Sequence, residues 1–381
     1  MVISEKEINH RNSQIIDYLN KNGLDGFIVT EPYNIFYLDF YHISTERPII
    51  YFFHSSGETT LFVPSMEEVE AMKMKHVDIL KVYFEFPGEK DVFQWIIQEL
   101  KSIYPHLKNI VIDNAKERLF QKWSTEFDNL KVDDFIYQMR LIKSEEEVEY
   151  LKMAANYSDF IVDYGIKHCL PGKSELELLA EMEIATIKKM VQELNEIIYV
   201  PGGPAGGLIP SGERTILPHA LPSSRIIQKG DTILFSCGAN IKGYRTECER
   251  TCFVSEPDKL RKKAFKIMKD AQSLGISLMK PGNLCSDIDK QVLDFIRKRG
   301  YGDYIRHRTG HGKGLQEHEI PWVEIGDHTV LQKGMILSSE PGIYIEGLSG
   351  FRHSDTVLVT EKEPEVLTKY SKELEDLVIE V

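Results

Sequence analysis

The sequence predicts an α/β domain at the N-terminus, followed by a larger α+β domain. In the first part of the chain, amphipathic helix patterns alternate with short apolar strand patterns, which is typical of α/β folds. In the second part, long helix patterns are separated from two groups of strand patterns, which indicates an α+β layer. The 381 residues suffice for two domains with a sizeable core in each.

The N-terminal domain is predicted to span residues 1–137. Its helix patterns cover residues 5–22, 67–75, 90–103 and 115–129. Its strand patterns cover residues 26–30, 49–54, 58–63 and 109–112, and the middle two read as a hairpin. The boundary is placed near Gln138 because a long helix opens soon afterwards, with Ser144 as its N-cap and acidic residues in its first turn.

The C-terminal domain is predicted to span residues 138–381. Its helix patterns cover residues 145–168, 175–194, 258–279 and 286–299, and its strand patterns cluster in 197–254 and 329–367. A Pro-Gly turn leads into a helix at Gly172 and again at Gly282, as a duplicated half-domain would leave behind. The glycine-rich run 201–207 lacks the terminal Gly-Lys-Ser/Thr of a phosphate-binding loop, so it is predicted to be a plain loop.

Composition and charge argue against several classes of protein. The net charge of −13 disfavours a nucleic-acid partner, and no apolar run approaches the length of a membrane span. The N-terminus lacks the succession of basic, apolar and small residues that is typical of a signal peptide. The five cysteines, an odd number in a long chain, do not suggest a disulfide framework. We therefore expect a cytoplasmic protein that binds neither nucleic acid nor a membrane.

The strand pattern at 244–253 carries the first candidate site residues. Because side chains alternate along a strand, Arg245, Glu247, Glu249 and Thr251 share one face. Burying a carboxylate among apolar residues costs free energy unless the carboxylate is paired with another group or binds a ligand. The same pattern also fits the solvated outer face of an antiparallel sheet, so spacing alone leaves both interpretations open.

Further candidates lie closer to the C-terminus. Histidine and carboxylate groups cluster in the glycine-rich stretch 307–319, which includes His311 and His318, and such a cluster lines a site more often than it packs a core. Glu340 ends an apolar strand pattern at a tight turn, and Arg352 lies at the mouth of another strand. His219 is held between two prolines in a rigid extended stretch, which suits a general base, although a histidine there is more often an ordinary loop residue.

In this order and spacing, the motifs resemble those of the pita-bread hydrolases, the family of creatinase, prolidase and aminopeptidase P. The resemblance is carried by the segments 143–155, 218–251, 307–321, 340–344 and 350–359. It implies a small α/β N-terminal domain and a pseudo-twofold α+β pita-bread C-terminal domain. It also implies a homodimer, since members of the family often form dimers.

The resemblance also bears on metals. The metallopeptidases of the family hold two metals with five side chains, and this chain has Ser236, Glu247, His311, Glu340 and Ser354 at those positions. Hydroxyls are poor ligands for these ions, so a two-metal centre is hard to build and no cofactor is favoured. The alternative is a single zinc, manganese or cobalt ion on the glutamates and the histidine, which is the ligand number of catalytic zinc.

At particular residues the chain is similar to creatinase, the branch that works without metal. His219 matches its catalytic histidine, and Glu249 and Glu340 match carboxylates that hold the cationic guanidinium of its substrate. Arg47 fills the position of an arginine that reaches the substrate carboxylate in the partner subunit's site. In the altered metal-site residues, the resemblance is therefore nearer to creatinase than to the metallopeptidases.

The leading hypothesis is a hydrolase that cleaves a C–N bond in a small carboxylate-bearing substrate without a two-metal centre. His219 would be the general base, and the groups assigned to catalysis are His219, His311, His318 and Glu340. The groups assigned to the substrate are Arg47, Glu247, Glu249 and Arg352, and the clustered carboxylates would bind a cationic group of the substrate. The alternatives are an Xaa-Pro dipeptidase or aminopeptidase with a reduced metal site, and a non-catalytic peptide-binding relative.

Overall fold

A computed structural model describes residues 3–41, 45–89, 91–114, 117–194, 196–197 and 202–381. The chain divides into two compact units, Met1–Arg140 and Leu141–Val381. The sequence places the boundary near Gln138. Among the described residues, no helix is both long enough and apolar enough to cross a membrane.

The first unit is built around a mixed sheet. Its helices are α1 (Glu5–Asn22), α2 (Pro32–Asp39), α3 (Glu68–Ala71), α4 (Val92–Ile103), α5 (Glu117–Trp123) and α6 (Phe135–Met139). Its strands are β1 (Gly26–Val29), β2 (Ile50–His54), β3 (Thr59–Pro64), β4 (Ile79–Tyr83), β5 (Asn109–Ile112) and β6 (Asn129–Val132). The described strands lie in the order β4-β3-β2-β1-β5-β6, with β1–β2 and β2–β3 antiparallel and the other pairs parallel.

One face of this sheet packs against α4. Ile28, Phe52 and Phe62 on the strands belong to the same buried cluster as Ile96 and Leu100 of α4. The predicted hairpin of β2 and β3 is confirmed. The helix predicted at 115–129 is wrong in its second half, because α5 ends at Trp123 and β6 follows; residues 115–116, like residue 90 of the helix predicted at 90–103, lie outside the described residues.

The second unit carries long helices and a large sheet. Its helices are α7 (Glu145–His168), α8 (Glu175–Glu193), α9 (Lys259–Leu278) and α10 (Cys285–Lys298). Its longer strands are β7 (Ala205–Leu208), β8 (Thr232–Ile241), β9 (Tyr244–Val254), β10 (Gly310–Gly312), β11 (Glu319–Val323), β12 (Ile336–Ser339), β13 (Gly342–Ile345), β14 (Ser349–Arg352) and β15 (Ser354–Leu358). Two short strands complete the series, β16 (Glu365–Val366) and β17 (Val378–Ile379).

The described strands of the main sheet lie in the order β11-β10-β12-β15-β9-β8-β7, and β13 and β14 form a separate hairpin. The pairs along the main sheet are antiparallel, so the expectation of an α+β unit is confirmed. The predicted bounds of α7 agree with the structure. Ser144 accepts a hydrogen bond from Glu147 N, and the Glu147 side chain accepts one from Ser144 N, so a full capping box starts this helix.

An internal repeat relates the two helix pairs. Gly172 follows α7 and Gly282 follows α9, with φ angles of 99° and 90°, where glycine is favoured. Gly172 N donates to Ile227 O over 3.0 Å, and Gly282 N donates to Leu331 O over 2.9 Å. Each turn is therefore hydrogen-bonded in the same way to a later segment, which agrees with a duplicated half-domain.

Candidate metal centre

Three adjacent strands bring the acidic and hydroxyl residues together. On β8 and β9, Ser236 lies opposite Glu249, and Gly238 lies opposite Glu247. On the other side of β9, Ser354 of β15 also lies opposite Glu249. Glu249 is buried, and the side chain of Glu247 is only 14% exposed. This face of β9 therefore lines a pocket and is not a solvated outer face.

The pocket has a volume of about 280 Å³. Its wall includes His219, Glu247, Glu249, His318, Glu340 and Arg352. The edge strand β7 closes one side, since Gly206 and Gly207 also line the pocket. The prediction of a plain loop at 201–207 is thus wrong for residues 205–207, and residue 201 lies outside the described residues. A Cβ atom at Gly207 would lie 2.2 Å from Ser236 O, so only glycine allows this pairing.

His311 is held in a fixed orientation on β10. Its Nδ1 lies 2.9 Å from Gly312 O and donates to it, which leaves Nε2 facing the carboxylates of Glu340 and Glu247. The flanking glycine Gly310 permits close strand contact, because a Cβ atom there would lie 2.1 Å from Ser338 O. Nε2 lies 3.2 Å from Glu340 Oε1 and 3.8 Å from Glu247 Oε1. Within the described parts of the chain, no contact of this buried nitrogen has full hydrogen-bond geometry, so Glu340 is a close ionic neighbour of Nε2.

Glu247, His311 and Glu340 form a group that could hold a metal ion. Each offers one ligand atom, and these atoms lie within 4.8 Å of one another. Two carboxylates and an imidazole suit a divalent transition metal, and three protein ligands leave room for a water or substrate. The buried His311 Nε2, which faces both carboxylates, fits the same role. The donor set therefore fits one divalent ion.

Charges within this group determine how its members ionise. Burial alone would raise the pKa of Glu340, but His311 and Arg352 outweigh it and hold that pKa well below its usual range. Burial disfavours the charged form of His311, but Glu247 and Glu340 raise its pKa above the ordinary value. A histidine binds a metal ion as the neutral imidazole, so the raised pKa of His311 would make binding of an ion here weaken as the pH falls.

Lys313 is a member of the site that the sequence analysis missed. Its side chain is fully buried, and Nζ donates to Glu247 Oε2 over 2.8 Å and to Glu317 O over 2.9 Å. Burial would lower the pKa of Lys313, but Glu247 and Glu317 raise it, so the ammonium remains charged. Strand alternation gives no reliable signal for Lys313, because β10 ends at Gly312 and its register shifts between His311 and Gly312.

Arg352 supplies a second cation from the chain itself. Its Nε donates to Glu249 Oε2 over 2.6 Å and its Nη2 to Glu249 Oε1 over 2.9 Å, a bidentate and buried pair. Nη2 also donates to Ser236 Oγ over 3.0 Å, and the Ser236 hydroxyl donates to Glu249. The hypothesis that the carboxylates need a cation from the substrate is therefore wrong, since Arg352 and Lys313 already neutralise two of them.

The other predicted histidines lie at the rim of the pocket. His219 is exposed, and it occupies a turn and not the extended stretch that the flanking prolines predict. Its role as a general base has no support in this geometry. The ring of His318 is also exposed and lies 4.3 Å from the ring of His311. His318 therefore borders the candidate metal ligands directly.

Arg47 belongs to the first unit. Its Nε donates to Glu85 Oε1 over 2.6 Å, and its Nη1 lies 3.1 Å from Glu46 Oε1. Its side chain is 21% exposed. Its predicted contact with a substrate stays a prediction.

Comparison with known proteins assigns the family. Residues 149–361 match the metallopeptidase family M24, and residues 11–142 match the creatinase/prolidase N-terminal domain. The chain therefore belongs to metallopeptidase family M24. It is 31% identical over 368 residues to the Xaa-Pro dipeptidase of Pyrococcus furiosus, covering 96% of this chain and 99% of that relative. It is 32% identical over 372 residues to the Xaa-Pro dipeptidase of Pyrococcus horikoshii, with 96% and 99% covered.

Solved structures agree with this assignment. The prolidase from Pyrococcus horikoshii OT3 has a TM-score of 0.83 at 29% identity, covering 96% of this chain and 99% of that one. The recombinant prolidase from Thermococcus sibiricus has a TM-score of 0.86 at 28% identity, with both chains fully covered. The predicted creatinase-type N-terminal domain and pita-bread C-terminal domain are confirmed. The chain is a hydrolase acting on C–N bonds.

Two expectations are corrected by these findings. The similarity to Xaa-Pro dipeptidases does not support a position nearer to creatinase. The expectation that no cofactor is favoured is wrong, because the family is one of metallopeptidases. The group formed by Glu247, His311 and Glu340 agrees with that correction.

Proposed function

We propose that this protein is an Xaa-Pro dipeptidase whose centre holds a divalent metal ion on Glu247, His311 and Glu340. The observation that carries the proposal is the convergence of these three ligand atoms in a chain of the M24 family. The identity to two Xaa-Pro dipeptidases over nearly their full length supports the substrate class. A divalent ion in such a site supplies Lewis acidity and lowers the pKa of a bound water to about 7.

The residues of the chain have distinct parts in this proposal. Glu340, with its lowered pKa, stays ionised and provides a charged ligand. His318 lies beside His311 at the open side of the pocket, where it contacts the dipeptide. Arg352 stays paired with Glu249 and holds that wall in place, so we assign it a positioning role.

The proposal includes two features that rest on the sequence alone. We propose a homodimer in which Arg47 of one protomer reaches the substrate in the site of its partner. We also propose a cytoplasmic location. Size-exclusion chromatography with light scattering tests the dimer. If the contact with the substrate carboxylate exists, Arg47→Ala should raise KM for dipeptides while the dimer persists.

Hydrolysis by the purified protein provides the main test. We expect cleavage of Xaa-Pro dipeptides in preference to Xaa-Ala dipeptides, with loss of activity on chelation and recovery with Mn²⁺, Co²⁺ or Zn²⁺. His311→Ala should weaken metal binding by more than about 100-fold, because it removes one of three ligands. His168→Ala is the matched control, since this histidine is exposed at the end of α7. Full activity after complete removal of metal, or no preference for proline, would contradict the proposal.

A further inference from the structure

A buried ammonium group lies against one of the three candidate metal ligands. Lys313 Nζ donates to Glu247 Oε2 over 2.8 Å, and the lysine side chain is 0% exposed. Charged lysines are almost never fully buried unless they are paired. The position of Lys313 is thus fixed by Glu247, the same carboxylate that an ion in this centre would use.

The candidate ligands differ in the hydrogen bonds that their ligand atoms already make within the protein. Glu247 Oε2 accepts from Lys313, and Glu247 Oε1 accepts from Ser354 Oγ over 2.8 Å. His311 Nε2 lies 3.2 Å from Glu340 Oε1, but no contact of this nitrogen within the described ranges has full hydrogen-bond geometry. An ion that uses Glu247 must therefore share or displace a bond that the protein makes to itself.

Lys313 has little freedom to withdraw from the centre. Its ammonium also donates to Glu317 O over 2.9 Å and lies 3.7 Å from Glu317 Oε2. Losing either contact while buried would leave a charged group without its partners, which is costly. The ammonium would therefore remain beside Glu247 if an ion bound, and two cations would share one carboxylate.

We propose that Lys313 is a built-in competitor of the metal ion, which weakens the binding of a divalent cation to Glu247, His311 and Glu340. The inference rests on the proposed function only in that it takes these residues as the metal ligands. At the effective dielectric constant of a protein interior, repulsion between two cations a few ångströms apart changes affinity by more than tenfold. Removing the ammonium should therefore strengthen metal binding.

The test compares the Mn²⁺ affinity of Lys313→Met with that of the wild type. The affinity is measured by calorimetric titration, and the bound Mn²⁺ is measured by elemental analysis after dialysis. Methionine keeps similar length and volume without the charge. We expect Lys313→Met to bind Mn²⁺ at least about tenfold more tightly than the wild type. Lys333→Met is the matched control, because Lys333 is 67% exposed and pairs with Glu361 on the surface. Its affinity should equal that of the wild type.

A second measurement covers the case in which Lys313→Met folds poorly without metal. Removal of the ammonium leaves Glu247 buried without its cation, so the metal-free variant should unfold at a lower temperature. Mn²⁺ should then raise its unfolding temperature by more than it raises that of the wild type. Lys313→Gln, which keeps a hydrogen-bond donor beside Glu247, should show the same gain in affinity. Equal or weaker Mn²⁺ binding in both variants would overturn the inference.

Binding, not hydrolysis, is the readout, so the two proposals fail separately. Tighter Mn²⁺ binding in Lys313→Met, without any cleavage of Xaa-Pro dipeptides by the wild type, would support the inference and refute the proposed function. Unchanged affinity in an enzyme that cleaves these dipeptides would do the reverse. Absence of Mn²⁺ binding by the wild type and both variants would refute the inference together with the proposed metal site.

Discussion

Replacing Asp355 by asparagine should destabilise the second unit beside the candidate metal centre. Arg250 of β9 and Asp355 of β15 are both fully buried, and Arg250 Nη2 donates to Asp355 Oδ1 over 2.8 Å. Asp355 also accepts from Gln272 over 2.8 Å and from Lys372 over 2.9 Å. These contacts join β9 to β15, the strands that carry Glu247 and Ser354.

The size of the effect follows from the charge of Asp355. Burial would raise its pKa, but Arg250 and Lys372 lower it from 3.8 to about 2. This shift corresponds to about 2.5 kcal/mol in favour of the ionised folded form. Breaking a buried pair by removing one partner costs about 3–5 kcal/mol, since the other charge is left uncompensated. We therefore expect Asp355→Asn to cost about 3 kcal/mol at pH 7.

The pH dependence has a definite sign. The pKa of Asp355 is lower in the folded chain than in the unfolded chain, so its contribution is present above about pH 4. It is lost as the pH falls towards 2. The difference in unfolding free energy between wild type and variant should therefore be constant at neutral pH and shrink between about pH 4 and pH 2.

Urea-dependent hydrogen exchange of peptides from β9 and β15 measures this difference in the second unit alone. Asp270→Asn is the control, because Asp270 makes a partly exposed i,i+4 pair with Lys266 and should cost less than about 0.5 kcal/mol. A loss below about 1 kcal/mol in Asp355→Asn at pH 7, or a difference that does not change in acid, would refute the reasoning.

Three further predictions concern the centre itself. Gly310→Ala places a Cβ atom 2.1 Å from Ser338 O, so it should displace His311 and lower Mn²⁺ affinity at least about tenfold by calorimetry; unchanged affinity would contradict it. Glu249→Gln leaves Arg352 buried without its carboxylate, so it should lower the free energy of unfolding by about 3–5 kcal/mol, measured by hydrogen exchange. The double variant with Arg352→Met should recover most of that free energy. Chelation of a metal-loaded sample should lower the unfolding temperature, since an ion at 100 times its Kd contributes about 2.7 kcal/mol, and a chelator-insensitive temperature would argue against a bound ion.

Much of the fold is predictable from local signals. The bounds of α7 follow from Ser144 and the acidic first turn, because a capping box specifies a helix start at the level of single residues. The helix α2 was missed because Asn34–Leu38 are all buried, so the segment shows no amphipathic period. The strand β7 was missed because glycine has a low strand propensity and leaves no alternation to detect.

The candidate metal ligands could be predicted from the sequence, but the ion pairs within the site could not. The alternative with a single metal ion names Glu247, His311 and Glu340 together from the resemblance to the pita-bread hydrolases, and the structure groups them. The pairing of Arg352 with Glu249 depends on which strand faces which side chain across the pocket, and neither residue signals the other in sequence. Lys313 was missed for a different reason, since a lysine in a glycine-rich stretch is expected to face solvent.

The ion pairs within the site affect how strongly its carboxylates would bind a metal ion. Of the three carboxylates, Glu247 is paired with Lys313 and Glu249 with Arg352, while Glu340 faces a histidine whose pKa is raised. A divalent ion at this site would therefore enter a pocket whose negative charge is already largely compensated by the cations of the chain. Its affinity would depend on the cations of the chain as well as on the ligands, which is why replacing Lys313, which is not itself a ligand, is expected to strengthen binding.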